Sequence, residues 1–355
     1  MDTKLIYIRN AELADRELTA AARIIKAGGL VAFPTETVYG LGANALDEAA
    51  AGKIYEAKGR PCDNPLIAHI ASFAGLKPLV SEIPETGRRL AEAFWPGPLT
   101  LVFSKSDLVP YGTTGGLNTV AVRLPGHPLA RRLITLAGVP IAAPSANTSG
   151  RPSPTTAEHV LQDMKGRIDM IIDGGPVGIG MESTIVDVTE SVPVLLRPGA
   201  VTLEMLKQTV GQVELDPATL GPAAEDRKPK APGMKYRHYA PQAELTVIEG
   251  QQGAGLSGAV ISEINRLAAC RISEGYQVGI LCTDETKACY PQGILRSAGR
   301  RSEPESIAHN LFAVLRDFDD LQVDYIYSES FSREQIGQAI MNRLTKAAGY
   351  HVIQI

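Results

Sequence analysis

Short apolar runs alternate along this chain with stretches in which apolar positions return every three or four residues, the patterns of strands and of helices. Residues 5–8 read as a strand. Residues 13–27 carry helical spacing and run into Gly28-Gly29, a helix stop. Residues 30–33 form a buried strand that ends at Pro34. Asp47 is placed to cap a helix over 48–57. A strand follows at 66–70, and a helix over 85–94 is halted by Trp95-Pro96-Gly97-Pro98. Strands at 99–103 and 119–124, a helix at 128–137 and a strand at 139–143 continue the alternation. A helix starting at Thr155 or Thr156 runs toward Met164, strands follow at 170–173, 184–188 and 194–197, and a helix over 202–210 closes the series.

The rhythm then stops. Residues 215–232 are rich in Pro, Ala and charge and read as a linker. The segment PGMKYRHYAP (232–241) crowds two tyrosines, a lysine, an arginine and a histidine into ten positions. A spacer needs none of these, whereas a linker lying back on a site would use them. From Glu244 the alternation resumes, with strands at 245–249, 278–281, 325–327 and 350–355 and helices at 261–274, 304–318 and 334–348, a small three-layer α/β arrangement. The expected organisation is a domain over 1–211, a linker over 212–242 and a second domain over 243–355, without an internal repeat.

Composition narrows the function classes. The chain has 355 residues, long for one domain, with ordinary apolar content and few aromatics, as in a globular α/β protein. No apolar run approaches a bilayer span, and the acidic start MDTKLIYIRNAELADRE is unlike a secretory signal, so a cytoplasmic location is expected. The cysteines Cys62, Cys270, Cys282 and Cys289 are scattered without CxxC or a histidine cluster, which argues against a structural zinc site or a disulfide framework. The net charge of −4 divides into −1 for 1–211, +1 for 212–242 and −4 for 243–355, a poor match to a general nucleic-acid binder.

Three segments carry candidate chemistry. In FPTETVYGLG (33–42), a strand end is followed at once by Thr35, Glu36 and Thr37 and by two glycines. Hydroxyls at the carboxyl edge of a strand sit where open α/β sheets hold ligands, and glycines let backbone approach them. In KGRPCDNPL (58–66), Lys58, Arg60 and Asn64, with His69 just beyond, suit a triphosphate, although Lys and Arg also favour a helix C-terminus for its own sake. In APSANTSG (143–150), Ser145, Asn147 and Ser149, with Ser153 beyond, follow an apolar strand and offer small polar groups to phosphate or ribose. Thr119 and Arg123 share one face of TVAVR, Ser183 precedes a strand, and Arg197 ends one. Neither GxxxxGK[ST] nor GxGxxG is present, nor GxSxG, a catalytic-cysteine signature or HExxH. Thr, Ser, Asn, Lys, Arg and His without a nucleophile suit catalysis by positioning and charge stabilisation, as in phosphoryl or nucleotidyl transfer.

FPTETVYGLGANA, KGRPCDNPL, WPGPLTLV, TVAVRLPGHP, PIAAPSANTSGRPSPT, ESTIVDV, LLRPG and PGMKYRHYAP stand in this order. With them the chain resembles, over essentially its whole length, the threonylcarbamoyl-AMP synthases in their two-domain form. The K-x-R pair Lys58 and Arg60 and the S-x-N pair Ser145 and Asn147 are the hallmark. The resemblance implies a twisted mixed α/β sheet, open, with a concave active-site face, followed by a small Rossmann-like C-terminal α/β domain. It implies the reaction of L-threonine, bicarbonate and ATP to threonylcarbamoyl-AMP and pyrophosphate, with magnesium on the phosphates and no tightly bound cofactor. The product would supply a separate transferase complex that modifies a tRNA adenosine next to the anticodon.

Position by position, the resemblance places Lys58 and Arg60 at the catalytic centre. It assigns threonine to Thr35, joined or replaced by Thr37, and to His69, Arg123, Ala143 and Ser183. Arg123 would take the amino acid's carboxylate, and Ala143 stands where some relatives have Thr. ATP is assigned to Lys58, Arg60, Asn64, Thr119, Ser145, Asn147, Ser153, Arg197 and the linker residue Tyr236, which would close over the nucleotide. An alternative without catalysis is a double-stranded RNA binder using Lys58, Arg60, Arg123 and Arg197 on phosphates. A third reading, a carbamoyl-phosphate-using transferase or hydrolase, would bring acylphosphatase-like and zinc modules that this chain lacks.

Overall fold

A computed structural model describes residues 2–10, 14–219, 221, 229–232, 238–250 and 258–355. The chain falls into two compact units. The first comprises Met1–Ser149, Ser153–Gly178 and Glu182–Lys235, the second Gly150–Pro152, Ile179–Met181 and Tyr236–Ile355.

The first unit is built on one mixed sheet. Its strands are β1 (Lys4–Tyr7), β2 (Val31–Pro34), β3 (Tyr39–Asn44), β4 (Ile67–His69), β5 (Leu99–Ser104), β6 (Thr119–Arg123), β7 (Ile141–Ala142), β8 (Met170–Asp173), β9 (Thr184–Asp187), β10 (Val194–Arg197) and β11 (Glu214–Leu215). They lie in the order β1-β8-β2-β3-β7-β4-β6-β5-β9-β10-β11. Parallel pairs such as β4 with β6 and β5 with β9 alternate with antiparallel pairs such as β2 with β3 and β5 with β6. The helices are α1 (Asp15–Lys26), α2 (Glu48–Lys58), α3 (Glu85–Phe94), the single turn α4 (Tyr111–Thr114), α5 (Pro128–Ala137), α6 (Ala157–Met164) and α7 (Leu203–Val210). Two apolar clusters hold them on the sheet. One packs Leu18, Ile25, Leu133 and Ile134 of α1 and α5 against Val31, Phe33 and Met170. The other gathers Ile54, Leu90, Val160 and Leu206 with Leu41, Leu101, Val122 and Val186.

Local chemistry sets the elements that carry the candidate residues. Asp47 caps α2 by accepting from the amides of Ala49 and Ala50. The helix stops at Gly59, which adopts φ 61°, while the Arg60 amide closes back on the Tyr55 carbonyl. A left-handed residue here turns the chain at once, so Lys58 and Arg60 leave one helix end in different directions. Thr156 caps α6 through the His159 amide, and His127 caps α5 through the Leu129 amide.

Three strands lie where the apolar pattern shows none. β3 is the glycine-bearing YGLGAN, which is not among the strands expected from sequence. A Cβ at Gly42 would come within 2.7 Å of Phe33 and 2.8 Å of Ile141, so the glycine is required by close packing against neighbours and not by a turn. β11 adds a parallel edge to β10 within the segment read as linker. β14 belongs to the second unit.

That unit has a five-stranded sheet of β12 (Glu244–Glu249), β13 (Val278–Cys282), β14 (Ile294–Ser297), β15 (Tyr325–Glu329) and β16 (Val352–Gln354), in the order β14-β13-β15-β12-β16 with every pair parallel. Helices α8 (Gly258–Ser273), α9 (Pro304–Asp320) and α10 (Ile336–Ala347) connect the strands. Among the described residues, no helix is long and apolar enough to cross a membrane.

Candidate active site

The turn between β2 and β3 forms a compact polar knot. The Thr35 and Thr37 hydroxyls lie 2.8 Å apart, and Thr35 also donates to the Val38 carbonyl. Arg123, at the carboxyl end of β6 and 3% exposed, reaches this turn. Its Nη1 donates to Thr37 Oγ1 at 2.8 Å and its Nε to the Gly97 carbonyl at 3.2 Å. Its Nη2 stands 2.7 Å from Glu36 Oε1, which also accepts from the Gly126 amide at 2.9 Å. Glu36 is thus gathered into the site although the expected residue set does not contain it. Burial pushes its carboxyl up, but the Arg123 charge, the Gly126 amide and the contact with Arg123 together hold it below the usual carboxylate range. Glu36 Oε2 is buried and has no hydrogen-bond partner among the described residues.

Strand register brings three more of the expected residues to Arg123. His69 is its partner across β4 and β6, and Thr100 is its partner across β5 and β6. The Thr100 hydroxyl lies 2.7 Å from that of Ser183, the residue before β9. Ala143 follows β7, and its amide donates to the Ile67 carbonyl two residues before His69. Arg197 ties on from the other side: its Nε donates to the Ser183 carbonyl at 3.0 Å and its Nη2 to the Ser183 hydroxyl at 3.3 Å. Its Nη1 donates to the Pro232 carbonyl, so Arg197 also holds the chain at the start of the aromatic segment. Arg197 and Ser183 were assigned to different substrates, yet they share one cluster.

His69 is kept neutral. Burial, reinforced by the Arg123 charge, lowers its pKa to about 3 against the opposing pull of the Ile67 and Ile141 carbonyls and Glu36. Its Nδ1 lies 3.1 Å from the Ile67 carbonyl oxygen, which only accepts, so that nitrogen carries the proton. The sign of the pH effect follows. Between about pH 6.5 and 3 the unfolded chain takes up a proton that the folded chain refuses, so stability is complete above 6.5 and is lost as pH falls. His69 should contribute a loss of about 2 kcal/mol between pH 7 and pH 5. Urea unfolding of wild type and His69→Gln at both pH values measures it: the variant should show the smaller drop, and equal drops would contradict a buried neutral imidazole.

The hallmark pairs form a second hydrogen-bonded group. Lys58, 2% exposed, donates from Nζ to the carbonyls of Ser145 and Asn147 at 2.5 and 2.6 Å and to Asn147 Oδ1 at 3.3 Å. Ser145 Oγ donates to the same Oδ1, and the Lys58 carbonyl accepts from the Ser149 amide. The lysine expected as a point charge for phosphate is therefore the post around which the 145–149 loop is wound. Arg60 donates from Nε and Nη2 to the Asn64 carbonyl and from Nη2 to the Pro65 carbonyl at 3.0 Å. Asn64 is 1% exposed, and its Oδ1 is buried without a hydrogen-bond partner among the described residues. Ser153 donates to Glu182, the neighbour of Ser183. Thr119 stands at the other end of β6 from Arg123, opposite Ser104, about 13 Å along the strand at usual rises. Tyr236 lies outside the described residues.

Glu36, Thr100 and Glu182 are the polar contributors absent from the expected set. Glu36 had one signal, a carboxylate between two nominated hydroxyls. Thr100 lies in a strand that is buried from Leu99 to Phe103, where alternation cannot single it out.

Known proteins share the fold and much of the sequence of this chain. A family model named Sua5_yciO_yrdC and described as telomere recombination matches residues 23–199. A second, described as the C-terminal domain of threonylcarbamoyl-AMP synthase, matches 201–349. The threonylcarbamoyl-AMP synthase of Pyrococcus abyssi is 50% identical over 356 residues, covering 99% of this chain and 100% of that protein. That of Bacillus subtilis is 48% identical over 341 residues, covering 96% and 95%. The crystal structure of Pyrococcus abyssi Sua5 complexed with L-threonine superposes with a TM-score of 0.93 at 50% identity, over 99% of this chain and 100% of that one.

Proposed function

The chain belongs to the two-domain threonylcarbamoyl-AMP synthase family, and from that premise we infer that it is an ATP-using nucleotidyltransferase that makes threonylcarbamoyl-AMP for tRNA modification. The observation that carries the reading is the pairing of two built groups on one sheet: the Arg123, Thr37, His69 and Ser183 cluster, and the Lys58, Ser145 and Asn147 loop.

In the finer reading, Arg123 takes the threonine carboxylate. A guanidinium has five N–H groups. Gly97 takes the Nε–H and Thr37 one N–H of Nη1, while Nη2 is ion-paired with Glu36 at 2.7 Å without a hydrogen-bond partner among the described residues, so both terminal nitrogens keep an N–H for a bidentate partner. Thr35 or Thr37, neutral His69 and Ser183 surround the amino acid, and Ala143 offers no hydroxyl. The threonine ammonium gives up a proton, and the resulting amine reacts with bicarbonate to give a carbamate and water. A carbamate oxygen then attacks the α-phosphorus of ATP, and pyrophosphate leaves. Arg60, Asn64, Thr119, Ser145, Asn147, Ser153 and Arg197, with the Lys58-wound loop, hold the nucleotide in line, and positioning supplies the rate. Magnesium arrives on the ATP phosphates as part of the substrate, and among the described residues no group of three or more His, Cys, Asp or Glu side chains stands together to hold a metal ion. The product passes to a transferase acting on tRNA, in the cytoplasm.

The RNA-binding alternative is not favoured. The cations it needs, Lys58, Arg60, Arg123 and Arg197, are 2, 9, 3 and 5% exposed, out of reach of a duplex backbone.

Pyrophosphate release from ATP, magnesium, bicarbonate and L-threonine tests the activity. Release that ignores threonine would end this reading. Tyr236→Ala should weaken ATP binding about tenfold if the linker closes over the nucleotide. Unchanged ATP kinetics would reduce the linker to a tether.

A further inference from the structure

Glu36 occupies an unusual position. Its side chain is 20% exposed, it faces a guanidinium at 2.7 Å, and only one of its two oxygens has partners among the described residues. Burial of a charged oxygen without a donor is unfavourable, and proteins tolerate it chiefly where another donor arrives. Oε1 accepts from the Gly126 amide and faces Arg123 Nη2 at 2.7 Å, while Oε2 and Nη2 both lie buried without a hydrogen-bond partner among the described residues, an acceptor and a donor left side by side. Neighbouring hydroxyls do not turn to Oε2: the Thr35 hydroxyl donates to the Val38 carbonyl, and the Thr37 hydroxyl is shared with Arg123 and Thr35.

We propose that Glu36 is the specificity residue for the α-ammonium group of the amino-acid substrate, with Oε2 accepting its N–H. This deepens the reading of Arg123 as the carboxylate site and rests on it. A zwitterionic amino acid carries its two charges on adjacent carbons, and Arg123 with Glu36 presents the complementary pair side by side. The carboxylate remains ionised beside Arg123, so it acts as an acceptor that orients the nitrogen and not as a store for the proton released in carbamate formation. The same pair discriminates against simple carboxylates, which would leave Glu36 without a donor, and against α-hydroxy acids, whose single O–H is an uncharged donor.

The test compares L-threonine with (R)-3-hydroxybutanoate, the same molecule without its amino group, by calorimetric titration of wild type and Glu36→Gln. Wild type should prefer threonine by about 100-fold, and Glu36→Gln should reduce that preference to about threefold by weakening threonine about 30-fold. ATP affinity and the binding of the des-amino compound should change little. Equal loss for both ligands would assign Glu36 a structural role and overturn the proposal. Tighter threonine binding in the variant would also overturn it, by making Glu36 a competitor for Arg123. Should the variant fail to fold, wild type still decides: no preference for threonine over the des-amino compound refutes the proposal. A wild-type protein that binds neither ligand fails at the function itself, an outcome distinguishable from failure of Glu36 alone.

Discussion

Replacing Arg123 with alanine is expected to remove threonine binding and to destabilise the first unit. The arginine meets Thr37, Glu36 and the Gly97 carbonyl, and both it and Glu36 are largely removed from water. Deleting one member of such a pair leaves the other as an uncompensated buried charge, at a cost of about 3–5 kcal/mol. For a unit of this size that is a fall in Tm of roughly 10 °C. The threonine effect adds to it, because a carboxylate that loses a bidentate guanidinium loses about 100- to 1000-fold in affinity. Threonine titration and threonine-dependent pyrophosphate release measure the second effect, and thermal unfolding measures the first. ATP affinity should hold within about threefold, since most of the nucleotide group is organised around Lys58 and Arg197 is linked to Arg123 through Ser183 and Thr100 rather than directly. A lower Tm with threonine KM unchanged would leave Arg123 as a structural cation. Arg123→Lys should recover stability better than binding, because an ammonium cannot serve Gly97, Thr37 and Glu36 while presenting two parallel donors.

The residues of this site were legible as types at strand ends, but their couplings were not. Thr35, Ser145 and Ser183 follow or precede apolar runs, and a run that stops at a polar residue marks a sheet edge. Arg123 was visible as the terminus of TVAVR. What alternation cannot supply is the order of strands. β4, β6, β5 and β9 are adjacent, so His69, Arg123, Thr100 and Ser183 meet although they are far apart in sequence. The pairing of Glu36 with Arg123 crosses that distance too, and neither residue alone announces the other. β3 escaped notice for a different reason. Gly40 and Gly42 read as places where backbone approaches a ligand, yet here they let Phe33, Ala143 and Ile141 pack against a strand with no side chains at those positions. In the second unit, β14 is half-buried along its whole length and so presents no alternation to read. The helices were easier to place, because Asp47 and Thr156 mark starts and Gly28-Gly29 marks a stop by local chemistry alone.

Lys58 distinguishes two accounts of the hallmark lysine. A lysine that serves as a point charge on a phosphate should, when replaced by methionine, weaken ATP and leave adenosine binding intact. The geometry supports a different outcome. Nζ lies 2.5 and 2.6 Å from the Ser145 and Asn147 carbonyls and also meets Asn147 Oδ1. Three acceptors converging on one ammonium hold the 145–149 loop against the end of α2, and Ser145 Oγ is aimed by the same Asn147 oxygen. Without the ammonium the Ser145 and Asn147 carbonyls lose this donor, while Asn147 Oδ1 keeps the Ser145 hydroxyl, a loss of about 1–3 kcal/mol for each group left unsatisfied. Lys58→Met should therefore weaken adenosine as well as ATP, each by about tenfold or more, and lower kcat/KM for ATP by about 100- to 1000-fold through misplacement of the reacting groups. Threonine affinity should change less than about threefold, because none of the partners of Arg123 belongs to this loop. Lys58→Arg should fail to rescue, since the site is 2% exposed and a planar guanidinium cannot direct three donors from one atom. Titrating adenosine and ATP into wild type and Lys58→Met separates the accounts. Adenosine binding that is unchanged in the variant would restore the phosphate role and show that the loop holds its shape without the lysine.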